Sequence, residues 1–236
     1  MKIVSYNILH CAKYPEQVID YSLYAETIKN LDADIIGLNE VRGEGIAEGY
    51  DPQVEILAEK AGYPYCYFAF AKYFTNKGPY GNALLSKIPI EEAETIVIPD
   101  PAVKYGPKNY ETRCILKVKL QGGITVLVTH FGLNPNEEVN AVLTVLRNAP
   151  KEKCILMGDF NTEPHHGYLQ PIYDRMKDAA DLLPPNAITF FGAGEKKIDY
   201  IFVSKDIEIQ AADVPQIYVS DHFPHTANIR IPGIDR

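Results

Sequence analysis

The chain has 236 residues but contains no tryptophan and only four cysteines, at positions 11, 66, 114 and 154. These cysteines lack the paired spacing of a zinc site or a disulfide framework, so we interpret them as reduced thiols in or near the core. The sequence also lacks any apolar run close to the roughly 20 residues that cross a bilayer. Because its first residues enter a strand-like pattern without a cleavable signal, we expect a cytoplasmic protein.

The chain also lacks an excess of positive charge. It has 23 Lys and Arg residues and 31 Asp and Glu residues, which gives a formal net charge of −8. Proteins that hold long duplex DNA usually present a basic face, because released counterions provide much of the affinity. The balance therefore disfavours a high-affinity DNA binder and suits a site that collects divalent cations. With 46% hydrophobic and 23% charged residues the chain is neither disordered nor fibrous, and its length predicts a single domain over residues 1–236.

Short apolar strands alternate with amphipathic helices along the chain, without an internal repeat. Strands are predicted over 2–8, 34–38, 82–86, 112–120, 124–130, 154–157, 199–203 and 226–231. Residues 121–123, Gln-Gly-Gly, predict a hairpin between two of these strands, so the sheet is at least partly antiparallel. The pattern favours an α/β or α+β sandwich over a purely parallel sheet.

Four helices are predicted between the strands from capping residues and apolar spacing. One begins after Asp51 and ends at Gly62, another covers 22–31, and another lies within 168–183. A further helix begins near Asn134-Pro135, and the i, i+3, i+4, i+7 spacing predicts that it buries Val139, Val142, Leu143 and Leu146. We expect these helices to cover the sheet.

Ionisable groups stand at the ends of four predicted strands, on the same face as the apolar residues that precede them. By strand alternation His130 follows Ile124, Val126 and Val128, Asp159 follows Ile155 and Met157, Glu40 follows Ile36 and Leu38, and Asp199 precedes Ile201 and Val203. A charge in a dry core costs several kcal/mol (order of magnitude) unless it is paired or metal-bound. We therefore expect these strand ends to converge on one polar pocket.

Seven short motifs resemble those of the endonuclease/exonuclease/phosphatase superfamily, in that family's order. They are Ser5-Tyr6-Asn7, Leu38-Asn39-Glu40-Val41, Tyr80-Gly81-Asn82-Ala83-Leu84-Leu85-Ser86, Thr129-His130, Gly158-Asp159-Phe160-Asn161, Ile198-Asp199-Tyr200-Ile201 and Ser220-Asp221-His222-Phe223-Pro224. The resemblance implies a DNase I-like fold, which is a four-layer α/β sandwich with two mixed β-sheets inside, helices outside and the active site at one end of the sheets.

The resemblance also implies hydrolysis of phosphate esters with Mg²⁺ or Mn²⁺, which prefer oxygen ligands. The expected metal ligands are Asn7, Glu40, Asp159, Asn161, Asp221 and His222. The expected catalytic residues are His130, Asp159, Asn161, Asp199 and His222, and the expected substrate-binding residues are Asn82, Arg113, His130 and Asn161. Two assignments of the general base stay open, namely Asp159 or the pair of His222 and Asp199.

Two residues of this chain differ from those of one branch of the family, and the differences limit the range of expected substrates. Abasic-site DNA endonucleases usually carry Trp in the first motif and Tyr at the position of His130, whereas this chain has Tyr6 and His130. Thr129-His130 and Gly158-Asp159-Phe160-Asn161, followed by Glu163-Pro164, instead resemble the branches that contain neutral sphingomyelinases, deadenylases and inositol-phosphate phosphatases. This resemblance implies a phosphodiesterase or phosphatase acting on a small molecule or a lipid head group, and we expect a monomer. A nuclease acting on DNA or RNA is the alternative, and a non-catalytic metal- or phosphate-binding module is a third hypothesis from another class. The aromatic stretch 63–73 and the loop 99–110 are candidates for the substrate rim, and His165-His166 is interpreted as a solvated loop.

Overall fold

The computed structural model describes residues 1–234. The strands are β1 (Lys2–Asn7), β2 (Ala12–Lys13), β3 (Val18–Ile19), β4 (Ile35–Arg42), β5 (Tyr65–Phe74), β6 (Gly78–Ser86), β7 (Ile90–Val97), β8 (Cys114–Leu120), β9 (Ile124–His130), β10 (Cys154–Asp159), β11 (Met176–Asp178), β12 (Asp199–Ser204), β13 (Glu208–Asp213) and β14 (His225–Arg230). The α-helices are α1 (Tyr21–Leu31), α2 (Gln53–Ala61), α3 (Pro135–Asn148) and α4 (Gln170–Tyr173), and short 3₁₀ turns occupy Leu9–Cys11, Gly167–Leu169 and Ala179–Leu182.

Twelve of these strands form two six-stranded sheets of matching design. The first has the order β13-β14-β1-β4-β6-β5 and the second the order β11-β12-β10-β9-β8-β7. In each sheet two central strands are parallel, β1 with β4 and β9 with β10, and the other pairs are antiparallel. The central parallel pairs place the carboxyl ends of their strands at the same edge of the molecule, which is where the predicted site residues stand.

Three apolar layers hold the sheets and helices together. Between the sheets, the inner cluster includes Ile3, Leu84, Val128, Met157 and Ile201. On the outer face of the first sheet a second cluster joins β1 and β4 to α1 and α2, and on the outer face of the second sheet a third joins β9 and β10 to α3 and α4. The order is therefore helices, sheet, sheet, helices, which confirms the predicted four-layer sandwich.

Local sequence signals fix several boundaries as predicted. Gly62 adopts the left-handed conformation (φ 80°) that ends α2. Asn134 and Glu137 form a capping box at the start of α3. Gly122 and Gly123 both have positive φ values in the predicted hairpin between β8 and β9. None of the helices within the described range has the length and apolar character that a bilayer crossing needs.

The predicted buried face of α3 is correct in part. Val142 is buried and Leu146 packs against the outer cluster, but Val139 and Leu143 are 37% and 45% exposed, and Ala141 and Val145 are buried in their place. The helix is rotated because its first turn is anchored to the preceding loop, where the Lys108 backbone N–H donates to Asn134 Oδ1 and that of Glu111 donates to Glu137 Oε1.

The predicted secondary structure differs from the observed one in one helix and several strands. The segment 168–183 contains only the four-residue helix α4, which is followed by β11 and a 3₁₀ turn. The sequence pattern does not predict β2, β3, β5, β7, β11 and β13. The last four are the edge strands of the two large sheets, and in β5, β7 and β13 exposed positions weaken the apolar pattern.

Candidate active site

The predicted site residues meet where the central strands of both sheets end. In the second sheet Asp159 is the register partner of His130 on β9 and of Asp199 on β12. In the first sheet Asn7 ends β1 beside Asn39 of β4. A hydrogen bond of 3.1 Å from Asn7 Nδ2 to Asp159 Oδ2 joins the two sheets at this point. The convergence of strand ends that the alternation pattern predicts is therefore present.

His222 lies between two carboxylates at the centre of the pocket. Its Nδ1 is 2.8 Å from Asp199 Oδ2, and its Nε2 is 3.6 Å from Asp159 Oδ2. All three side chains are at most 5% exposed. Burial opposes a charge on the imidazole, but the carboxylates of Asp199 and Asp159 outweigh it and raise the pKa of His222. The ring is thus held in a fixed orientation and favoured in its protonated form.

Four interactions fix the position of Asp159. Its backbone N–H donates to Asn39 Oδ1 (2.9 Å), Oδ1 accepts from the Asn161 backbone N–H (2.9 Å), and Oδ2 accepts from Asn7. Oδ2 also lies 3.5 Å from His130 Nε2. Burial and the neighbouring Asp199 raise the pKa of Asp159, against the effect of His222. This carboxyl group is therefore suited to exchange a proton near neutrality.

A second set of groups provides donors for an anion. Arg113 Nη1 is 3.2 Å from His130 Nδ1, and the Asn161 amide nitrogen is 3.0 Å from His130 Nε2. Because a guanidinium only donates, Nδ1 of His130 accepts and the neutral ring carries its proton on Nε2. The contact with the Asn161 amide nitrogen is then no hydrogen bond, because it places two donors side by side. Burial and the positive charge of Arg113 hold the pKa of His130 well below its usual value, so the ring is neutral.

Arg113 is itself oriented by groups outside the predicted set. The side chain is 8% exposed, and its Nη2 forms an ion pair of 3.1 Å with Glu111 Oε2. The other oxygen of Glu111, Oε1, lies 3.2 Å from Lys72 Nζ. Burial opposes the charge, but Tyr80, which lies next to the guanidinium, and Glu111 outweigh it and raise the pKa of Arg113. The pocket therefore contains a buried, preorganised cation.

Glu40 reaches the pocket through an irregularity in β4. The register with β6 shifts between Leu38 and Val41, and Glu40 has a φ of +60°, in the left-handed region. Ile36, Leu38 and Val41 all belong to the outer cluster, so Glu40 does not share their face, and the simple alternation predicted for this strand end is wrong. The bulge is the physical reason, because the extra residue turns the carboxylate towards the site.

Glu40 and Asp221 form the acidic side of the pocket. Glu40 Oε2 is 3.7 Å from His10 Nδ1. Burial opposes ionisation of Glu40, but His10 and the charge of Arg113 outweigh it and lower its pKa to about 2. Burial raises the pKa of half-buried Asp221; His222 opposes this shift, and Glu40 adds to it.

This donor set fits a hard divalent cation. Ligand atoms of Asp159, Asp199 and His222 lie within 4.8 Å of one another, and Asp199 Oδ1 is buried without a hydrogen-bond partner among the described residues. Carboxylate and amide oxygens are the ligands that Mg²⁺ and Mn²⁺ prefer. Nδ1 of His222 is already bonded to Asp199. The carboxylates of Glu40 and Asp221 are therefore better placed than His222 to act as metal ligands.

Three residues of the site escaped the sequence analysis as functional candidates, namely His10, Asn39 and Tyr80. Asn39 lies inside a quoted motif, but its role depends on contacts to distant strands, since Nδ2 donates to Asn82 Oδ1 and to the Thr129 carbonyl (2.8 Å each). Asn82 in turn donates to the Cys114 carbonyl (2.9 Å) and is 2% exposed. Asn82 therefore lies beneath the pocket with its amide bonded within the protein.

Comparisons with known proteins identify the family and the fold. The model of the Endonuclease/Exonuclease/phosphatase family matches residues 4–222. No curated protein sequence matches the chain.

Several solved structures share the fold. The endonuclease/exonuclease/phosphatase from Beutenbergia cavernae DSM 12333 is 22% identical with a TM-score of 0.80, over 99% of this chain and 72% of that one. The endonuclease/exonuclease/phosphatase from Bacteroides vulgatus is 19% identical with a TM-score of 0.76, over 98% of each chain. ANGEL2, a 2',3'-cyclic phosphatase in complex with adenosine-2',3'-vanadate, is 16% identical with a TM-score of 0.74, over 98% of this chain and 95% of that one. At these identities the likeness establishes the fold.

Proposed function

The chain belongs to the endonuclease/exonuclease/phosphatase family, and on that premise we propose that it is a divalent-metal-dependent hydrolase of phosphate esters, cleaving a phosphodiester or phosphomonoester with water. The observation that carries the proposal is the position of His222, held at 2.8 Å by Asp199 and facing Asp159 at 3.6 Å in a buried pocket. The site draws on both sheets, so we further propose that residues 1–236 act as one catalytic domain.

Glu40, Asp221 and Asn7 are the residues that we assign to the cation, with Asp159 and Asn161 at the boundary between the cation and the substrate. The family is divalent-metal dependent. When bound, Mg²⁺ or Mn²⁺ would neutralise negative charge on the phosphate and at the leaving oxygen. The low pKa of Glu40 keeps this ligand ionised at every pH at which the protein is expected to work.

The phosphate group is bound by the donors on the other side of the pocket. The Nε2–H of His130 and the Asn161 amide project from the second sheet, and the Arg113 guanidinium behind His130 polarises that ring. Donors that are already in place stabilise the charge that grows on the equatorial oxygens in the transition state without further reorganisation.

Asp159 and His222 have separate roles in the reaction. Asp159 orients the attacking water and takes its proton, because its raised pKa matches that task and contacts with Asn7 and the Asn161 backbone fix its carboxylate. His222, protonated and held by Asp199, faces the phosphate and balances its charge. This assignment selects Asp159 as the base from the two alternatives that the sequence leaves open.

A nuclease is the second candidate, and exposed aromatic rings near the predicted rim favour it. Phe70 and Tyr73 of β5 are 47% and 51% exposed, and Tyr105 of the 99–110 loop is 70% exposed. Exposed rings stack nucleobases of single strands, at about 1–3 kcal/mol per base. The net charge of −8 disfavours long nucleic acid, so small phosphodiesters and lipid head groups stay the leading substrates.

The test is a screen of the purified full chain, with Mg²⁺ or Mn²⁺, against phosphomonoesters, bis-p-nitrophenyl phosphate, phospholipid head-group esters and oligonucleotides. We expect turnover of at least one class and its loss in Glu40→Ala and His222→Ala. Glu59→Ala on the exposed face of α2 and His166→Ala in the loop are matched controls that keep wild-type turnover. Metal binding measured by calorimetry without hydrolysis of any ester would instead support the non-catalytic module.

A further inference from the structure

A cleft of about 480 Å³ lies at the opposite end of the second sheet from the catalytic pocket. It is bounded by the last turn of α3, the segment that follows α4, and the turn that follows β12. Met176 pairs with Ser204 in the sheet, and Ser204 Oγ accepts from the Cys154 backbone N–H at the start of β10 (2.9 Å). Asp159 ends the same six-residue strand, so the cleft and the catalytic carboxylate are roughly 16 Å apart along β10.

The floor of the cleft is apolar and its rim is basic. Val145, Ile172 and Met176 form the buried floor, and Lys151, Arg175 and Lys205 stand exposed at the rim with a single acidic residue, Asp174. A cleft of this volume is of the size that holds one drug-sized molecule. The combination of an apolar floor and a cationic rim suits a ligand with an apolar body and an anionic head.

The cations of the rim are not neutralised by the protein. Within residues 1–234, none of Lys151, Arg175 and Lys205 forms an ion pair with a carboxylate. Two lysines on β8 of the same sheet are paired, Lys117 with Glu94 and Lys119 with Glu92. Three unpaired cations against one acid form a local positive field on a chain whose net charge is −8.

Helix capping explains only part of this arrangement. Arg175 Nη1 donates to the Leu146 carbonyl in the last turn of α3 (2.9 Å), and cations near a helix C-terminus are favoured by the helix dipole. Lys205 comes from a different element, the turn after β12, and has no carbonyl partner among the described residues. Its place at the same rim is therefore not accounted for by α3.

From the apolar floor and the unpaired rim cations, we propose that this cleft binds a small amphipathic anion, a molecule with a carboxylate, sulfonate or phosphate head and a compact aryl or branched alkyl body. The head contacts Lys151, Lys205 and the free nitrogens of Arg175, and the body packs on Val145 and Met176. The site needs no metal and is separate from the proposed catalytic pocket. Each of the two proposals can therefore be tested independently of the other.

The probe is anilinonaphthalene sulfonate, an aryl sulfonate that becomes fluorescent in apolar surroundings, titrated against the full chain. We expect saturable binding of one probe per chain. The double variant Lys151→Gln, Lys205→Gln keeps the fold, because both side chains are exposed and unpaired, and should bind at least about fivefold more weakly. The uncharged analogue N-phenylnaphthylamine should lose no affinity in the same variant.

The matched control is Lys117→Gln, Lys119→Gln, which removes the same charge from lysines of the second sheet outside this cleft and should leave probe affinity unchanged. Hydrolysis of the best ester should be equal in all of these proteins. Non-saturable binding, equal affinity of the rim variant and wild type, or an equal loss in the control pair would each overturn the proposed site.

Discussion

Asn39 of the first sheet accepts a hydrogen bond of 2.9 Å from the backbone N–H of Asp159 in the second sheet. The same side chain donates to Asn82 Oδ1 and to the Thr129 carbonyl. A single buried amide thus links β4, β6, β9 and β10 directly beneath the Asp159 carboxylate. The relative position of the two sheets at the pocket is set by this polar network as well as by the apolar core.

Asn39→Ala should destabilise the protein by about 2–4 kcal/mol, because it leaves buried donors and acceptors without partners. Turnover should fall as well, since Asp159 loses the anchor of its backbone. Urea unfolding and steady-state kinetics measure the two effects. Asn140→Ala is the control, because this amide makes one exposed bond to the Pro99 carbonyl and should cost less than about 1 kcal/mol. Equal costs for the two variants would contradict the role given to Asn39.

Asp199→Asn should lower kcat by on the order of 10²–10⁴, because the imidazole loses the charge that holds and stabilises it. The pKa of His222 should fall in the same variant, since burial opposes the ring's charge and the carboxylates of Asp199 and Asp159 raise its pKa. Histidine resonances followed by NMR across a pH series measure the shift. An unchanged His222 pKa would show that the 2.8 Å contact does not govern the ring's protonation.

Much of this site follows from the sequence, and the reasons differ from residue to residue. His130, Asp159 and Asp199 lie at the ends of regular strands, so strand alternation places them correctly on the inner face. The position of Glu40 depends on a bulge that the sequence of β4 does not predict. His10, Asn39 and Tyr80 acquire their roles from partners on distant strands, which local patterns do not contain. The rotation of α3 was missed for the same reason, because loop contacts at Asn134 and Glu137 decide it.

Buried His225 makes the stability depend on pH. Burial and the nearby charge of Lys197 hold its pKa well below 6.5, so the folded state keeps the ring neutral while the unfolded chain binds a proton below about pH 6.5. Folding stability from this residue is therefore lost on acidification. Below about pH 6.5, the free energy of unfolding of His225→Leu should rise relative to that of wild type by up to about 1.4 kcal/mol per pH unit.

Urea unfolding of both proteins between pH 7 and pH 5 measures this gain (roughly the range over which a histidine titrates). Ile229→Val, in the same strand, is the control, because it removes a buried methylene without a titratable group and should give a constant offset. Parallel curves for His225→Leu and wild type would contradict the prediction.

The sheets approach closely at Gly37, where a Cβ would lie 2.5 Å from Met157 Sδ and 3.0 Å from Val128. Gly37→Ala should therefore cost about 1–3 kcal/mol through overpacking. Met157→Ala alone should cost about 2–5 kcal/mol by leaving a cavity. The double variant should be more stable than the sum of the two losses predicts, by about 0.5–3 kcal/mol, because each change relieves the other. Strict additivity in urea unfolding would show that the two residues do not share this space.

The most direct test of the account is the metal dependence of hydrolysis, measured on the ester turned over best, for wild type, His222→Ala and the control His166→Ala. We predict turnover that EDTA abolishes and Mg²⁺ or Mn²⁺ restores, with His166→Ala equal to wild type and His222→Ala slower by on the order of 10²–10⁴. Turnover that persists in EDTA, or that is the same in His222→Ala as in wild type, would contradict the assignment of this pocket as a metal-dependent phosphoesterase site.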